Sequence, residues 1–97
     1  MPKGYWIAHG TVDDTAVYDE YRKANAAPLA AFGGQFLVRG GERVNPEGDA
    51  RPRTVVIEFP SYQAALDCYR SDAYQAALAI RAPVSSSDLV IIEGYDP

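Results

Sequence analysis

The stretch that decides the fold is residues 53–59, which reads RTVVIEF. It is short and rich in β-branched residues, so it predicts a β-strand. Because side chains alternate along a strand, Val55 and Ile57 point to one face while Val56 points to the other. A strand that is apolar on both faces predicts a sheet that is covered on both sides.

Outward from this strand, the pattern predicts the order β-α-β-β-α-β within one domain, residues 1–97. Short apolar runs predict strands, and apolar residues spaced three and four apart predict helices. Pro28 predicts a kink or a fresh helical turn, and the three serines at 85–87 predict a loop. This order is typical of an α+β ferredoxin-like fold with a four-stranded antiparallel sheet. The other predicted strands are residues 5–12, 35–39 and 89–93, and the predicted helices are residues 17–31, 62–69 and 72–82.

The last predicted strand repeats the two-faced pattern, with Leu89 and Ile91 opposed to Val90 and Ile92. Two connecting helical regions can cover one face of a four-stranded sheet but not both. The second face therefore needs another layer, and a chain this short has only a thin core of its own. We expect a second copy to supply that layer in a symmetric sheet-to-sheet homodimer.

Composition argues against several classes of protein. Nine Lys and Arg against thirteen Asp and Glu give a net charge of −4, and the basic residues form no stripe, so nucleic acid is not an expected partner. Cys68 is the only cysteine, which leaves no metal site of the cysteine-pair kind, and we expect neither metal nor cofactor. Without a membrane-spanning run or a signal-peptide core, we expect a cytoplasmic protein with no membrane partner.

Several motifs make the chain resemble a known family. They are KGYWIA at 3–8, GGQFLVRGG at 33–41, VIEFPS at 56–61, YRSDAY at 69–74, and SDLV at 87–90 followed by Glu93-Gly94. Together they cover nearly the whole chain, and they resemble domain-of-unknown-function family thirteen-thirty. The resemblance implies the dimeric α/β-barrel superfamily, in which two ferredoxin-like protomers pack sheet to sheet. Its members include small cofactor-free monooxygenases, haem-dependent enzymes and isomerases, but the family has no established reaction, so the resemblance implies a pocket and no particular chemistry.

Two side chains are candidates for acid–base chemistry. His9 is the only histidine, and its ordinary pKa lies near neutrality. Glu58 faces opposite Ile57, so if it is buried it must be paired or protonated. The alternatives are a structural strand histidine and an ion-paired glutamate. A single histidine does not specify a zinc site, which usually needs three or four protein ligands.

Arg39 is the candidate anchor for a ligand carboxylate. A guanidinium can hold a carboxylate through two parallel hydrogen bonds, and Gly40 and Gly41 leave room for a close approach. An ion pair with Glu58 on the adjacent strand or a contact at the dimer interface is the structural alternative. The remaining candidates for the pocket lining are Tyr69, Ser71 and Tyr74. For the two tyrosines the alternative role is packing in the core, and for Ser71 it is capping of a helix.

The expected function is binding of a small organic ligand, a carboxylate or an aromatic, in a pocket between the sheet and the helices. One alternative is a cofactor-free enzyme of the small monooxygenase or isomerase type, with Arg39 as anchor and His9 or Glu58 as acid–base group. A second alternative is a non-catalytic structural dimer. A pocket with two convergent polar side chains would favour the enzyme, and a solid core would favour the non-catalytic dimer module.

Overall fold

The computed structural model describes residues 2–97, which form four strands and three helices in the predicted order. The strands are β1 (Gly4–Val12), β2 (Gln35–Arg39), β3 (Arg53–Phe59) and β4 (Ser85–Glu93). The helices are α1 (Thr15–Ala31), α2 (Tyr62–Arg70) and α3 (Asp72–Arg81), and a short 3-10 turn, Ala82–Val84, leads into β4. Both β2 and β3 have the bounds that the sequence predicts.

The four strands form one antiparallel sheet in the order β2-β3-β1-β4. This arrangement confirms the predicted ferredoxin-like fold. The helices α1 and α3 pack against each other, and α2 contacts β1, β3 and β4. None of the helices between Pro2 and Pro97 combines the length and the hydropathy needed to cross a bilayer.

Local sequence explains where α1 begins and ends. The Asp14 side chain accepts hydrogen bonds from the backbone amides of Ala16 and Val17 at 3.1 and 3.2 Å, which satisfies donors that the first turn leaves free. Gly33 follows the helix with a φ of +77°, a conformation that favours glycine. The helix runs through Pro28 without a break, so no new helix begins there.

The start of β4 differs from the prediction, because the serines at 85–87 extend the strand and do not form a loop. Ser85 pairs with Val12 and Ser87 with Gly10, in register with the rest of β1. Their hydroxyls are satisfied locally: Ser85 Oγ donates to the carbonyl of Arg81 at 2.8 Å, and Arg81 donates to Ser87 Oγ at 3.1 Å. Backbone pairing with a long neighbouring strand therefore outweighs the turn preference of serine.

The core lies between the helices and one face of the sheet. Trp6, Ile57 and Phe59 project from the strands into it, and Tyr74 of α3 packs against Trp6 with ring centroids 4.8 Å apart. The indole of Trp6 donates to the carbonyl of Ala65 in α2 at 2.9 Å, which ties that helix to the sheet. Aromatic residues thus supply most of the buried volume of a small core.

The opposite face of the sheet carries an apolar row that crosses all four strands. In register it reads Val38, Val56, Ile7 and Val90, from β2 to β4. Val90 is 53% exposed and Val38 is 41% exposed in the isolated chain. The prediction that β3 and β4 are apolar on both faces is confirmed. We call this surface the open face.

Candidate functional site

A cavity of about 50 Å³ lies between the helices and the helix-facing side of the sheet. We call it the inner cavity. Its floor is apolar and comes from the sheet, with Ala8, Val55 and Leu89. Aromatic rings of Tyr18 and Tyr21 in α1 form part of its walls. It therefore combines an apolar floor with an aromatic rim, as small-molecule sites commonly do.

Four guanidinium groups also line the inner cavity, and each comes from a different element. They belong to Arg22 of α1, Arg39 of β2, Arg53 of β3 and Arg81 of α3. None of the residues that line this cavity is acidic. Among residues 2–97, the carboxylates form no ion pair with Arg39, Arg53 or Arg81, whereas Arg22 pairs with Asp19 at 3.5 Å. The cavity therefore gathers four positive charges, three of which have no carboxylate partner within residues 2–97.

A β-bulge turns Arg39 towards the cavity. The pairing of β2 with β3 shifts between Phe36, opposite Ile57, and Val38, opposite Val56. Arg39 then lies opposite Val55, whose side chain faces the helices. In a regular strand, residues 36 and 39 would point to opposite faces, but the extra residue of a bulge places both on the same face.

Three of the guanidinium groups stack on aromatic rings. The Cζ atom of Arg39 lies 4.1 Å from the ring centroid of Phe36, that of Arg53 lies 5.6 Å from Tyr18, and that of Arg81 lies 5.3 Å from Tyr21. Such a contact uses the face of the guanidinium and leaves the N–H groups at its edges available for hydrogen bonds, one of which Arg81 donates to Ser87 Oγ. These edge donors have the geometry that binds a carboxylate through two hydrogen bonds.

Two buried polar atoms at the inner cavity have no hydrogen-bond partner within residues 2–97. They are Nε of Arg53 and Oδ1 of Asn25, and Asn25 is only 4% exposed. Buried polar groups are nearly always paired in folded proteins, because an unpaired group loses its bond to water without replacement. Two residues that line the cavity thus carry an unpaired buried donor and an unpaired buried acceptor.

A pair of tyrosines lies beneath the cavity, next to Arg81. The hydroxyls of Tyr21 and Tyr74 are 2.9 Å apart and share a hydrogen bond. Burial, together with the neighbouring Tyr21, raises the pKa of Tyr74. Burial works against the charge on Arg81, but its interactions with Tyr74 and Tyr21 outweigh burial and raise the pKa of Arg81. At neutral pH Tyr74 is therefore protonated and Arg81 is charged.

A wider cleft of about 470 Å³ adjoins the inner cavity at the edge between α1 and the end of β2. We call it the outer cleft. It shares Tyr18, Arg22 and Arg53 with the inner cavity, and Gly40 lines it on the sheet side. Gly40 has a φ of +62°, and a Cβ atom there would lie 2.7 Å from Nη1 of Arg53. The glycine therefore makes room for the guanidinium at the junction of the two spaces.

The predicted pocket residues other than Arg39 line neither space. The hydroxyl of Ser71 caps α3, where it accepts from the amide of Tyr74 at 3.2 Å and donates to the carbonyl of Cys68 at 2.7 Å. Tyr74 is fully buried, and Tyr69 packs edge-on against Trp6 with ring centroids 5.9 Å apart.

The only cysteine of the sequence, Cys68, is also buried, and burial raises the pKa of its thiol to about 11.

His9 and Glu58 lie on the open face, so the sheet separates them from the inner cavity. The Nδ1 atom of His9 shares a hydrogen bond with Thr54 Oγ1 at 3.0 Å. Glu58 accepts from Lys3 Nζ at 2.9 Å and from the hydroxyl of Tyr5 at 3.3 Å. The predicted alternative of an Arg39–Glu58 ion pair is wrong, because the bulge places the two side chains on opposite faces. His9 also borders a shallow cleft of about 340 Å³ under the loop between β2 and β3.

Arg53, Asn25 and Arg81 are among the polar residues of the inner cavity that sequence reasoning missed. Arg53 precedes Val55 by two residues in β3, so strand alternation would have placed it on the helix-facing side. Asn25 lies four residues after Tyr21, so helical spacing would have placed it on the inward stripe of α1. Arg81 lies four residues after the buried Ala77, so helical spacing would have placed it on the inward side of α3. Within residues 2–97, no three His, Cys, Asp or Glu side chains come together as a metal site would require.

Comparison with known proteins identifies the fold and a family. A family model described as a domain of unknown function, DUF1330, matches residues 3–95. No curated protein matches the chain.

Solved structures with the same fold have diverse descriptions. A protein of unknown function from Rhodopseudomonas palustris is 15% identical, with a TM-score of 0.76 over 99% of this chain and 85% of its own. SnoaB from Streptomyces nogalater, a cofactor-independent oxygenase, is 12% identical, with a TM-score of 0.69 over 100% of this chain and 97% of its own. A dimeric ferredoxin-like protein of unknown function from Thermobifida fusca is 19% identical, with a TM-score of 0.62 over 95% of this chain and 91% of its own. At these identities the likeness establishes the fold and not the chemistry.

Proposed function

The chain belongs to the DUF1330 family of domains of unknown function, and from its own geometry we propose that it binds a small organic anion in the inner cavity. The carboxylate of the ligand would lie against the guanidinium groups of Arg39 and Arg53. The rest of the ligand would lie against Tyr18, which borders both the inner cavity and the outer cleft. Binding of a small carboxylate or aromatic molecule is the function that these features support best.

The observation that carries the proposal is the distribution of positive charge. The chain has a net charge of −4, yet four of its nine basic residues line one cavity that has no acidic residue. Bringing cations together in a partly buried space is unfavourable unless an anion joins them. Structural arginines normally pair with carboxylates of the same chain, and three of these four do not. A bound anion would supply the missing partner.

The sizes of the two spaces suggest how such a ligand would divide between them. The inner cavity, at about 50 Å³, has room for more than one polar group of a ligand, since a cavity needs about 10–15 Å³ of such space to hold one water. The outer cleft, at about 470 Å³, falls within the range of small-molecule sites. A planar or aromatic ligand body would pack well there against Tyr18, which borders both spaces.

The proposal includes a homodimer formed through the open face. The apolar row from Val38 to Val90 needs cover, and a second copy in a symmetric contact would provide it. The Thermobifida fusca protein, which has the same fold, is described as dimeric. Because the inner cavity lies on the other side of the sheet, the dimer would leave the ligand site accessible.

We place this dimer in the cytoplasm, where a lone free thiol such as Cys68 is ordinary.

Catalysis is a second candidate, because SnoaB shares the fold over nearly the whole of both chains and is a cofactor-independent oxygenase. Guanidinium groups around the inner cavity would stabilise an anion formed when a bound ligand loses a proton. However, His9 and Glu58 lie behind the sheet and would not reach that ligand. A reaction in the inner cavity would have to use other groups, and ligand binding remains the primary proposal.

The test is thermal unfolding with benzoate and other small carboxylates, using wild type and Arg39→Ala. Loss of a charge-assisted hydrogen bond of about 1.5–3 kcal/mol should weaken binding about 10- to 100-fold. The ligand-induced rise in Tm should therefore disappear, while the apo protein melts almost unchanged. Arg70→Ala, which removes an exposed arginine at the end of α2, is the control and should keep the full rise.

The opposite pattern would contradict the proposal. If Arg39→Ala lowers the apo Tm by many degrees and ligand-induced shifts persist, Arg39 is a structural residue. If wild type binds no small carboxylate at about 10 mM, where even a Kd near 1 mM would give near saturation, the inner cavity is not a carboxylate site.

A further inference from the structure

Asn25 is the polar side chain of the inner cavity that anion binding leaves unexplained. It lies on the inward stripe of α1, four residues after Tyr21, and is 4% exposed. Its Oδ1 atom has no hydrogen-bond partner within residues 2–97. An unpaired buried acceptor of this kind destabilises the fold, because it has lost its hydrogen bond to water without a replacement. An anionic group would not relieve that cost, because a carboxylate has no hydrogen to donate.

No local structural role accounts for the choice of asparagine. Asn disfavours a helix interior, because its side chain competes for backbone hydrogen bonds. Asn25 lies far from both ends of α1, which Asp14 caps at the N-terminus and Phe32 follows at the C-terminus. An apolar side chain of similar size would satisfy both the helix and the core. A ligand group that donates a hydrogen bond would explain the amide.

The neighbours of Asn25 indicate which ligand would use it. On the preceding turn of α1, Tyr21 and Arg22 line the same cavity. The guanidinium of Arg53, which also lines it, has a buried Nε atom without a partner. The cavity therefore offers an unpaired donor on a cation and an unpaired acceptor on a neutral amide. A ligand that satisfies both must carry an anion and a separate hydrogen-bond donor on one small framework.

We propose that the ligand of the inner cavity is a hydroxylated aromatic carboxylate, whose hydroxyl group binds Asn25 while its carboxylate binds Arg39 and Arg53. This inference rests on the proposed function. A hydroxyl matches a primary amide well, because it can donate to Oδ1 and accept from Nδ2. An aromatic framework fits the rings of Tyr18 and Tyr21 on the same wall. Asn25 is then a specificity determinant and not a charge anchor.

The experiment compares benzoate with 2-, 3- and 4-hydroxybenzoate by calorimetric titration of wild type and Asn25→Leu. At least one hydroxybenzoate should bind wild type about tenfold more tightly than benzoate does, since one satisfied hydrogen bond contributes about that factor. Asn25→Leu should lose this preference and keep its affinity for benzoate. Asn25→Ala is the second variant, to be used if leucine overfills the site and unfolds the protein.

Each other outcome overturns a defined part of the reasoning. If benzoate binds, Arg39→Ala weakens it, and no hydroxybenzoate binds more tightly than benzoate, the anion site stands and the hydroxyl inference is wrong. A hydroxybenzoate preference that survives in both Asn25 variants also overturns the assignment, because another group then receives the hydroxyl. If neither benzoate nor any hydroxybenzoate binds wild type at about 10 mM, the proposed function fails, and this inference fails with it.

Discussion

Replacement of Arg53 by methionine should stabilise the protein without ligand and abolish its response to carboxylates. The side chain is partly buried at the start of β3, its Nε has no partner, and no described carboxylate pairs with it. Arg39 and Arg81 add two further positive charges around the same cavity. Methionine has a similar length and adapts to irregular spaces, so it fills the volume without the charge.

The expected gain follows from two opposing contributions. Removing an unpaired buried donor recovers about 1–3 kcal/mol. Losing the stacking of Arg53 on Tyr18, where Cζ lies 5.6 Å from the ring centroid, costs about 0.5–1 kcal/mol. The difference is about 1 kcal/mol of stabilisation, which raises the Tm of a domain of this size by about 4–8 °C.

Circular dichroism melts of wild type, Arg53→Met and Arg22→Met would measure this gain. Arg22 lines the same cavity but is about half exposed and pairs with Asp19, so Arg22→Met should change the stability by less than about 0.5 kcal/mol. Benzoate should raise the Tm of wild type and not that of Arg53→Met. A fall in the apo Tm of Arg53→Met by several degrees would refute the reasoning, because it would show that the guanidinium holds the fold together.

Two further predictions concern the open face and the buried thiol. Light scattering of wild type at micromolar concentration should give twice the mass of the chain. The interface between the two copies should bury at least about 1,200 Å². Val90→Glu, which puts a charge into the apolar row, should give a monomer, and a monomeric wild type would contradict the dimer. Because burial raises the pKa of Cys68 from 9.0 to about 11, the fraction of thiolate at pH 8 falls about 100-fold, and Ellman's reagent should react correspondingly more slowly than with urea-unfolded protein. Equal rates in the folded and unfolded states would show that Cys68 is accessible.

The elements were predictable from the sequence wherever side-chain pattern and backbone pairing agree. Both β2 and β3 have their predicted bounds, because apolar alternation and flanking glycine or proline mark them clearly. The first residues of β4 were missed, because Ser85 to Ser87 join the sheet through backbone pairing with β1 alone. Local chemistry strongly favours a turn there, and a partner strand that is distant in sequence overrides it.

The site was harder to predict than the fold, because its geometry depends on an irregularity. Arg39 was singled out from the sequence and lines the inner cavity, but its face could not be predicted, since no residue type in β2 indicates a bulge. Arg53 and Asn25 were within reach of strand alternation and helical spacing. They were overlooked because a charged residue at a strand end and an amide in a helix usually face solvent.

The bulge in β2 makes the assignment of faces sensitive to the length of a strand. Removal of a single residue between Phe36 and Arg39 would restore regular pairing with β3 and would keep Arg39 on the face of Phe36, now two residues away. With the bulge retained, insertion of one further residue would instead turn the guanidinium to the side of the sheet that carries Glu58, and the cavity would lose one of its charges. An insertion of one codon would thus move a cation from the ligand side of the molecule to the side that we expect to meet a second copy. In comparisons among family members, an insertion in this strand would therefore be a stronger sign of altered function than a deletion.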